Sequence, residues 1–172
     1  TPRPGYDYWL SYSGHGKTVD PDIYEAGRIH RVKGYMTDIL TDRAVDFIRN
    51  TGDQPFFLYV GHKAVHPEAR QNNDGSSDVE NGRPFIPAAR HNGLYQDQII
   101  KRNPNYGFSE EERLNKPVLK EALGIKHSAV VEKIFGGMLD HGVSEETVRR
   151  RAEMVLSVDE GLGLIFDILE ER

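Results

Sequence analysis

The chain has 172 residues, of which 37% are hydrophobic and 28% charged, a balance typical of a soluble globular domain. Its formal net charge of −5 argues against a nucleic-acid partner. The sequence contains no cysteine, which excludes disulfides, thiolate metal ligands and cysteine nucleophiles. No apolar run approaches the roughly 20 residues that a membrane-spanning helix needs.

The first 34 residues predict short strands and a glycine-rich loop. Aromatic residues with partial alternation predict a strand over 6–12. Residues 13–17 lack P-loop spacing, so a strand-ending turn is the simpler interpretation, with His15 as a candidate cleft residue. Residues 20–34 favour an irregular segment or a short hairpin, with a strand over 28–32. The chain begins without an initiator Met or an apolar leader, and we expect it to be an internal segment of a longer protein.

Residues 37–49 have the pattern of an amphipathic helix with one apolar stripe. The residues of this stripe are Leu40, Ala44, Phe47 and Ile48. Thr37 is the expected N-cap, and Asp38 follows in the first turn, where negative charge suits the helix dipole. The helix leads into an apolar run, which is typical of an α/β fold. We therefore predict the α/β class, with helices packed on the strands of a sheet.

The stretch 54–67 contains the main candidate site. Its apolar run 55–60 is short, aromatic and β-branched, and Pro and Gly bound it, so it predicts a buried strand. His62, Lys63 and His66 follow directly after Gly61. Because ligands bind at strand ends in open α/β sheets, these side chains predict an anion-binding or acid–base site. Lys63 offers a fixed positive charge, and His66 offers a proton donor whose ordinary pKa is about 6.5.

Residues 68–108 lack periodicity over most of their length and predict a substrate-cleft loop. The loop carries cations and an aromatic ring that suit an anionic sugar. These candidates are Arg90, His91, Tyr95, Lys101 and Arg102. A solvated surface position is the alternative interpretation for each of them.

The remaining residues predict helices. Ser109 with Glu112 is a capping box that starts a helix, which Pro117 interrupts. A further short helix is predicted over 129–135, and the longest runs from Ser144 to about Glu171. The predicted buried stripe of that longest helix comprises Val148, Ala152, Val155, Leu162, Phe166 and Leu169, with Asp159 on the same face.

Three motifs, in the same order, resemble those of the sulfatases in the alkaline-phosphatase-like superfamily. The string FFLYVGHKAVHPEA (56–69) resembles the core strand and active-site loop of that family, where a Lys or His precedes a His-Pro or His-Trp pair. Residues 5–9 resemble the GFDYW segment that follows the family's GKWH motif. Residues 154–163 resemble the helix before its C-terminal metal motif. The likeness extends from about Gly5 to Leu169.

The resemblance implies a hydrolase of sulfate monoesters, most similar to those acting on sulfated sugars of glycosaminoglycans or mucins. His66 matches the position that contacts the sulfate or the leaving oxygen, and Lys63 matches a second cationic contact of many relatives. These two are the candidate catalytic residues. The candidate substrate-binding residues are His62, Arg90, His91, Arg102 and His15. Val65 and Pro67 depart from the residues common in the family, which leaves the substrate undecided.

The family motifs for the nucleophile and the metal do not occur in this sequence. Sulfatases make a formylglycine nucleophile from Cys or Ser in a C/S-x-P-x-R motif, and they hold calcium or magnesium with an early Asp pair and a late Asp-Asn or Asp-His pair. We therefore expect residues 1–172 to be one internal segment of a catalytic domain. Calcium or magnesium would be bound by the full-length parent, while the segment alone would lack turnover and a tight metal site.

Two alternatives stay open beside the sulfatase. A phosphodiesterase or phosphonate hydrolase of the same superfamily would share the sheet and bind a similar tetrahedral anion. A non-catalytic domain could hold an anionic glycan at the same strand end. The expected partner is a sulfated small molecule or glycan, and unpaired sheet edges would favour self-association. A parent that behaves like its relatives would be exported, to the periplasm, the lysosome or the outside of the cell.

Overall fold

The computed structural model describes residues 3–73, 77–78, 84–101 and 144–172. Within these ranges the chain forms two long helices and several short antiparallel strands, so the predicted α/β class is confirmed. No helix in this part of the chain is long and apolar enough to cross a bilayer. The helices predicted between residues 109 and 135, and the candidate Arg102, lie outside the described residues.

Helix α1 spans Met36–Asn50 and buries the stripe that the sequence predicts. Leu40, Ala44 and Ile48 are buried, and Phe47 is partly buried. Amphipathic spacing was sufficient to predict the buried face of α1, because the opposite face is charged and only one face could enter the core.

The predicted N-cap of α1 is wrong. Tyr35 occupies the N-cap position without a side-chain cap, and Thr37 is buried inside the first turn. Tertiary contacts fix the start instead: the Met36 amide donates to the Thr18 carbonyl at 2.8 Å, and the Tyr35 hydroxyl donates to the Ile86 carbonyl at 3.0 Å. Burial raises the pKa of Tyr35 to about 12.

Helix α2 spans Glu145–Glu170 and begins where the sequence predicts. The Ser144 hydroxyl caps it by accepting from the Thr147 amide at 3.1 Å. Two glutamates in the first turn lie at the positive end of the helix dipole.

The predicted buried stripe of α2 is wrong. The residues it buries are Glu153, Met154, Ser157, Gly161 and Ile168. Four members of the predicted stripe are exposed, namely Val155, Leu162, Phe166 and Leu169, and so is Asp159. Apolar periodicity pointed to the wrong face because Gly161 and Ile168 contact α1, whereas Glu153 and Ser157 contact the segment 84–101. This arrangement leaves several large apolar side chains of α2 exposed.

The two helices come close together at Gly161. A Cβ on this residue would collide with the side chain of Thr41, which is itself buried on α1. Farther along, Ile168 joins Val45 and Ile48 in one apolar cluster. The helix pair is therefore held by one close approach and one apolar contact region.

Three short strands form an antiparallel sheet in the order β1–β2–β3. They are β1 (Leu10–Ser11), β2 (Asp22–Glu25) and β3 (Arg28–Arg31). The predicted hairpin is confirmed, while the strand predicted over 6–12 is reduced to two residues. The hairpin turn is Ala26–Gly27, with φ of 50° and 80°. Ile23 of β2 is fully buried and packs with residues of α1, which fixes the hairpin against that helix.

The predicted buried strand over 55–60 is wrong as stated. Its side chains do alternate: Leu58 and Val60 pack towards the apolar clusters around α1, whereas Phe57 and Tyr59 are 79% and 80% exposed. Among the described residues, no strand pairs with this segment. A strand is buried on both faces only when neighbours cover it, and the described part of the chain covers one face.

The predicted cleft loop contains regular structure where it is described. Strand β4 (Arg70–Gln71) pairs antiparallel with β5 (Ser77–Asp78). Turns follow over residues 89–97. This part of the chain is thus more structured than its sequence suggested.

Candidate functional site

Lys63 and His66 converge on one atom, the carbonyl oxygen of Pro67. The Lys63 amine donates to this oxygen at 3.2 Å, and His66 Nδ1 lies 2.8 Å from it. A proton on His66 Nδ1 therefore donates to the carbonyl, which leaves Nε2 for a ligand. The two residues predicted as a pair do lie together, on the loop that follows the apolar segment 55–60.

His15 completes a group of three basic side chains. Its ring stacks on the His66 ring, with centroids 4.8 Å apart and planes 25° from parallel. The glycines on both sides of His15 have φ of 56° and 64°, and these left-handed conformations turn the loop back towards His66. We call His15, Lys63 and His66 the basic corner.

Burial distinguishes the members of the basic corner. The Lys63 side chain is only 2% exposed, whereas His66 is exposed. Burial lowers the pKa of Lys63, and the nearby Glu68 carboxylate acts in the opposite direction. The pKa of His15 is lowered by burial, then by the charges of His66 and Lys63. A ligand approaching the corner would thus reach His66 before Lys63.

Glu68 and Thr18 are contacts that sequence reasoning missed. Glu68 Oε2 accepts a hydrogen bond from the Thr18 amide at 2.8 Å and another from the Thr18 hydroxyl. The same oxygen lies 4.0 Å from the Lys63 amine. No local pattern signals this contact, because the two residues are far apart in the chain, although Glu68 lies in the string 56–69.

His62 differs from its neighbours in the same loop. Its Nδ1 is buried without a hydrogen-bond partner among the described residues. Burial lowers the pKa of His62, so the neutral ring is favoured. Its role as a substrate contact remains a prediction.

Arg90 and His91 lie in an ion network between the two helices. Arg90 donates to both carboxylate oxygens of Asp38 on α1, at 2.7 and 2.8 Å, and to Glu160 on α2, at 2.7 and 2.9 Å. His91 is buried, and its Nε2 lies 2.8 Å from Glu160 while its Nδ1 lies 3.0 Å from the Ser157 hydroxyl.

This network has an electrostatic signature. Hydrogen bonds from Arg90 and then His91 lower the pKa of Glu160, and the bonds to Asp38 and Glu160 raise the pKa of Arg90. The contacts of Arg90 and His91 thus join α1, α2 and the segment between them. They are separate from the contacts of the basic corner, and a substrate role for these two residues stays a prediction.

A cleft of about 580 Å³ begins at His15. Its walls are the glycine-rich loop 13–17 and the segment 68–73, with Asp22 between them. Cations, carboxylates and the amides of Asn72 and Asn73 line it, a mixture that suits a polar ligand of the size of a sugar. The cleft adjoins the basic corner through His15 and Glu68.

A second cleft, of about 460 Å³, lies around Tyr8, Glu25 and Arg43. Tyr8 donates to Glu25 Oε1 at 2.5 Å, and Arg43 donates to the same oxygen at 2.9 Å. Asp7 and Asp46 also line it, so its charge disfavours a sulfate.

The resemblance to sulfatases implies a bound calcium or magnesium ion, which His, Asp or Glu side chains would have to hold. Residues 3–73, 77–78, 84–101 and 144–172 contain no group of three or more His, Asp or Glu side chains placed to hold one. The described residues by themselves therefore offer no site that fits this ion.

Known proteins resemble this chain over 72% to 98% of its length. The chain is 31% identical over 128 residues to the N-acetylglucosamine-6-O-sulfatase of Bacteroides thetaiotaomicron, covering 72% of this chain and 20% of that protein. A putative extracellular sulfatase, the Sulf-1 homolog of Caenorhabditis elegans, is 24% identical over 98% of this chain and 21% of its own length. The chain thus spans about a fifth of the curated relatives it matches.

A solved structure shares the fold. The structure of BT4656 in complex with its substrate D-glucosamine-2-N,6-O-disulfate matches with a TM-score of 0.60 and 23% identity, over 99% of this chain and 42% of that one. The family model for sulfatases matches residues 1–172. This match, together with the relatives, confirms the resemblance seen in the three motifs: the chain belongs to the sulfatase family.

Proposed function

We propose that this chain forms one wall of the active site of a sulfatase that hydrolyses sulfate monoesters on a sulfated sugar. The observation that carries the proposal is the basic corner, where His66 is exposed, His15 stacks on it, and Lys63 lies beneath both. A sulfate ester is an anion, and its hydrolysis builds charge on the sulfuryl oxygens and on the leaving oxygen. A group of basic side chains beside a polar cleft suits that need.

His66 is the proposed point of contact with the sulfate group. With Nδ1–H directed at the Pro67 carbonyl, the Nε2–H of the doubly protonated imidazolium form would donate to a sulfuryl oxygen or to the leaving oxygen. Lys63 is too buried for direct contact in this arrangement. We assign it the role of a positive charge held behind His66, while His15 lines the entrance.

An amino sugar is the proposed substrate class. Two comparisons support it: a curated relative is an N-acetylglucosamine-6-O-sulfatase, and a solved structure of the same fold contains a sulfated glucosamine as its substrate. The cleft that begins at His15 has room for a sugar ring and offers hydrogen-bonding groups of both kinds.

The complete activity requires residues outside this chain. The chain spans about a fifth of the length of its curated relatives. Its sequence contains no formylglycine motif, and its described residues contain no group placed to hold a metal ion. We propose that a longer catalytic domain supplies the formylglycine nucleophile and calcium or magnesium, and that residues 1–172 are one segment of it. The extracellular Sulf-1 homolog among the relatives supports an exported parent.

Nuclear magnetic resonance titration of the 172-residue chain tests the binding part of this proposal. N-acetylglucosamine 6-sulfate should shift the resonances of His15 and His66, whereas N-acetylglucosamine should not. His66→Ala should weaken binding of the sulfated sugar about tenfold or more, because a hydrogen bond to a charged group contributes about 1.5–3 kcal/mol. His30→Ala, at an exposed histidine on β3, is the matched control and should bind normally.

Equal shifts with both sugars, or unchanged binding by His66→Ala, would contradict the proposal. The hydrolysis of 4-nitrophenyl sulfate tests the second part. We expect none from this chain alone, and measurable turnover would show that no outside nucleophile is needed.

A further inference from the structure

We infer that Glu68 is a positioning residue of this site, which holds Lys63 in place behind His66 and ties the loop of His15 to the loop of His66. Its contacts stand by themselves, while its importance for sulfate recognition rests on the proposed function. Glu68 lies in the string 56–69 that resembles the family's active-site loop, but the sequence alone gives it no role.

The first line of evidence is the link between two loops. Thr18 directly follows the glycine-rich loop 13–17, and its amide and hydroxyl both donate to Glu68 Oε2. Glu68 directly follows Pro67, whose carbonyl accepts from Lys63 and lies beside His66 Nδ1. One carboxylate oxygen thus connects the segment that carries His15 with the segment that carries the other two members of the basic corner.

The second line of evidence is charge. The Lys63 amine is buried, and a buried ammonium is unfavourable unless an opposite charge or hydrogen bonds accompany it. The Glu68 carboxylate lies 4.0 Å away and supports the charged form of Lys63 against the effect of burial. The other two members of the basic corner, His15 and His66, are basic and cannot supply the negative charge that Glu68 provides.

The third line of evidence is the rigidity of Glu68 itself. Its amide donates to the carbonyl of Pro84, and Ile86 in the same segment accepts from the Tyr35 hydroxyl at the start of α1. Thr18, on the other side, is 2% exposed, and its carbonyl accepts from the Met36 amide. The Glu68 backbone and the Thr18 that its carboxylate binds are therefore both connected to the beginning of α1. A positioning group requires such support.

Glu68→Gln tests both roles, because it keeps the size of the side chain and an acceptor oxygen but removes the charge. We expect the Lys63 pKa, followed through its ε-carbon resonances, to be lower in this variant than in the unchanged chain. Hydrogen exchange of the Thr18 amide should become about tenfold faster, because a neutral acceptor forms a weaker bond than a carboxylate. Glu170→Gln, at an exposed glutamate near the end of α2, should change neither quantity.

A second measurement needs no substitution. In the unchanged chain, a scalar coupling across the hydrogen bond should connect the Thr18 amide nitrogen with the Glu68 carboxylate carbon. Absence of this coupling, or an unaltered Lys63 pKa in a folded Glu68→Gln chain, would overturn the inference. A purely structural glutamate would lower the unfolding midpoint and leave the Lys63 pKa unchanged. None of these measurements uses a sulfated ligand, so their failure is distinguishable from failure of the proposed function.

Discussion

The rings of His15 and His66 stack with their centroids 4.8 Å apart, although the two residues belong to distant loops. Two protonated imidazoles in this arrangement would repel each other. Burial, then His66, then Lys63 lower the pKa of His15, so the neutral ring is favoured there. His15 of the basic corner thus gains its positive charge only at a pH below the ordinary pKa of histidine, which is about 6.5.

The stability of the fold should therefore depend on pH. The pKa values of His15 and His62 are lower in the folded chain than in the unfolded chain, so the unfolded chain binds more protons in acid. Their contribution to stability is complete above about pH 6.5 and is lost as the pH falls through the lowered values. The urea midpoint should be equal at pH 7.5 and 8 and should decrease from pH 6.5 to 5. His15→Asn with His62→Asn should flatten this decrease, whereas His30→Asn should leave it unchanged.

Arg90 should contribute to stability through its position between the helices. Arg90→Ala removes hydrogen bonds to Asp38 and Glu160, and we expect it to lower the free energy of unfolding by about 1 kcal/mol, since the side chain is 45% exposed and water screens the pairs. Arg90→Lys should lose part of this, because lysine cannot form the bidentate pair. Urea denaturation of both variants measures the effect.

Lys33→Ala is the matched control for Arg90, because Lys33 is an exposed cation outside the ion network. It should leave the free energy of unfolding within about 0.5 kcal/mol of the unchanged chain. If Arg90→Ala were equally neutral but weakened binding of a sulfated sugar, the substrate role predicted from the sequence would be favoured over the structural one.

Gly161→Ala should separate the helices. Its new Cβ would meet the Thr41 side chain, and such overpacking costs about 1–3 kcal/mol. Gly163→Ala, two residues along the same helix, meets no atom within 4 Å and should instead stabilise α2 by about 0.5–1 kcal/mol. Thermal unfolding followed at 222 nm compares the two variants.

A second substitution should restore the stability that Gly161→Ala loses. Thr41→Ala removes Oγ1 and Cγ2, the two atoms that the new Cβ would meet most closely, and keeps Cβ at 3.3 Å. The double variant Gly161→Ala/Thr41→Ala should therefore recover stability relative to Gly161→Ala alone. Equal stability of the two alanine variants at 161 and 163 would contradict the close approach of α1 and α2.

The exposed apolar face of α2 should promote self-association. Val155, Leu162 and Phe166 are 49%, 42% and 58% exposed, and Phe57 and Tyr59 are still more exposed. Large exposed apolar patches favour contacts between molecules. We expect the weight-average mass in sedimentation equilibrium to rise with concentration and to fall back in a Leu162→Glu/Phe166→Glu chain. A constant monomer mass of the unchanged chain would contradict this.

Local pattern was enough for features that neighbouring residues decide. The Ser144 cap, the lengths of both helices and the hairpin at Ala26–Gly27 follow from side chains a few residues apart. The same is true of Lys63 and His66, which lie close in the chain and share one carbonyl as their contact. The resemblance to the sulfatase family was likewise visible in three short sequence motifs, without the tertiary structure.

Tertiary structure alone decided which faces meet. Periodicity marked an apolar stripe on α2, but the buried face is the one with Gly161 and Ser157. Gly161 lies against Thr41 of α1 and Ser157 contacts His91, and both contacts suit small residues. The contact of Thr18 with Glu68, and the stacking of His15 (a candidate from the sequence) on His66, join distant segments, and no spacing in the chain encodes them. The sequence by itself determined the family, the helices and the pair Lys63–His66. The tertiary structure decided which residues surround that pair, because contacts between distant segments depend on how their side chains fit together in the folded chain.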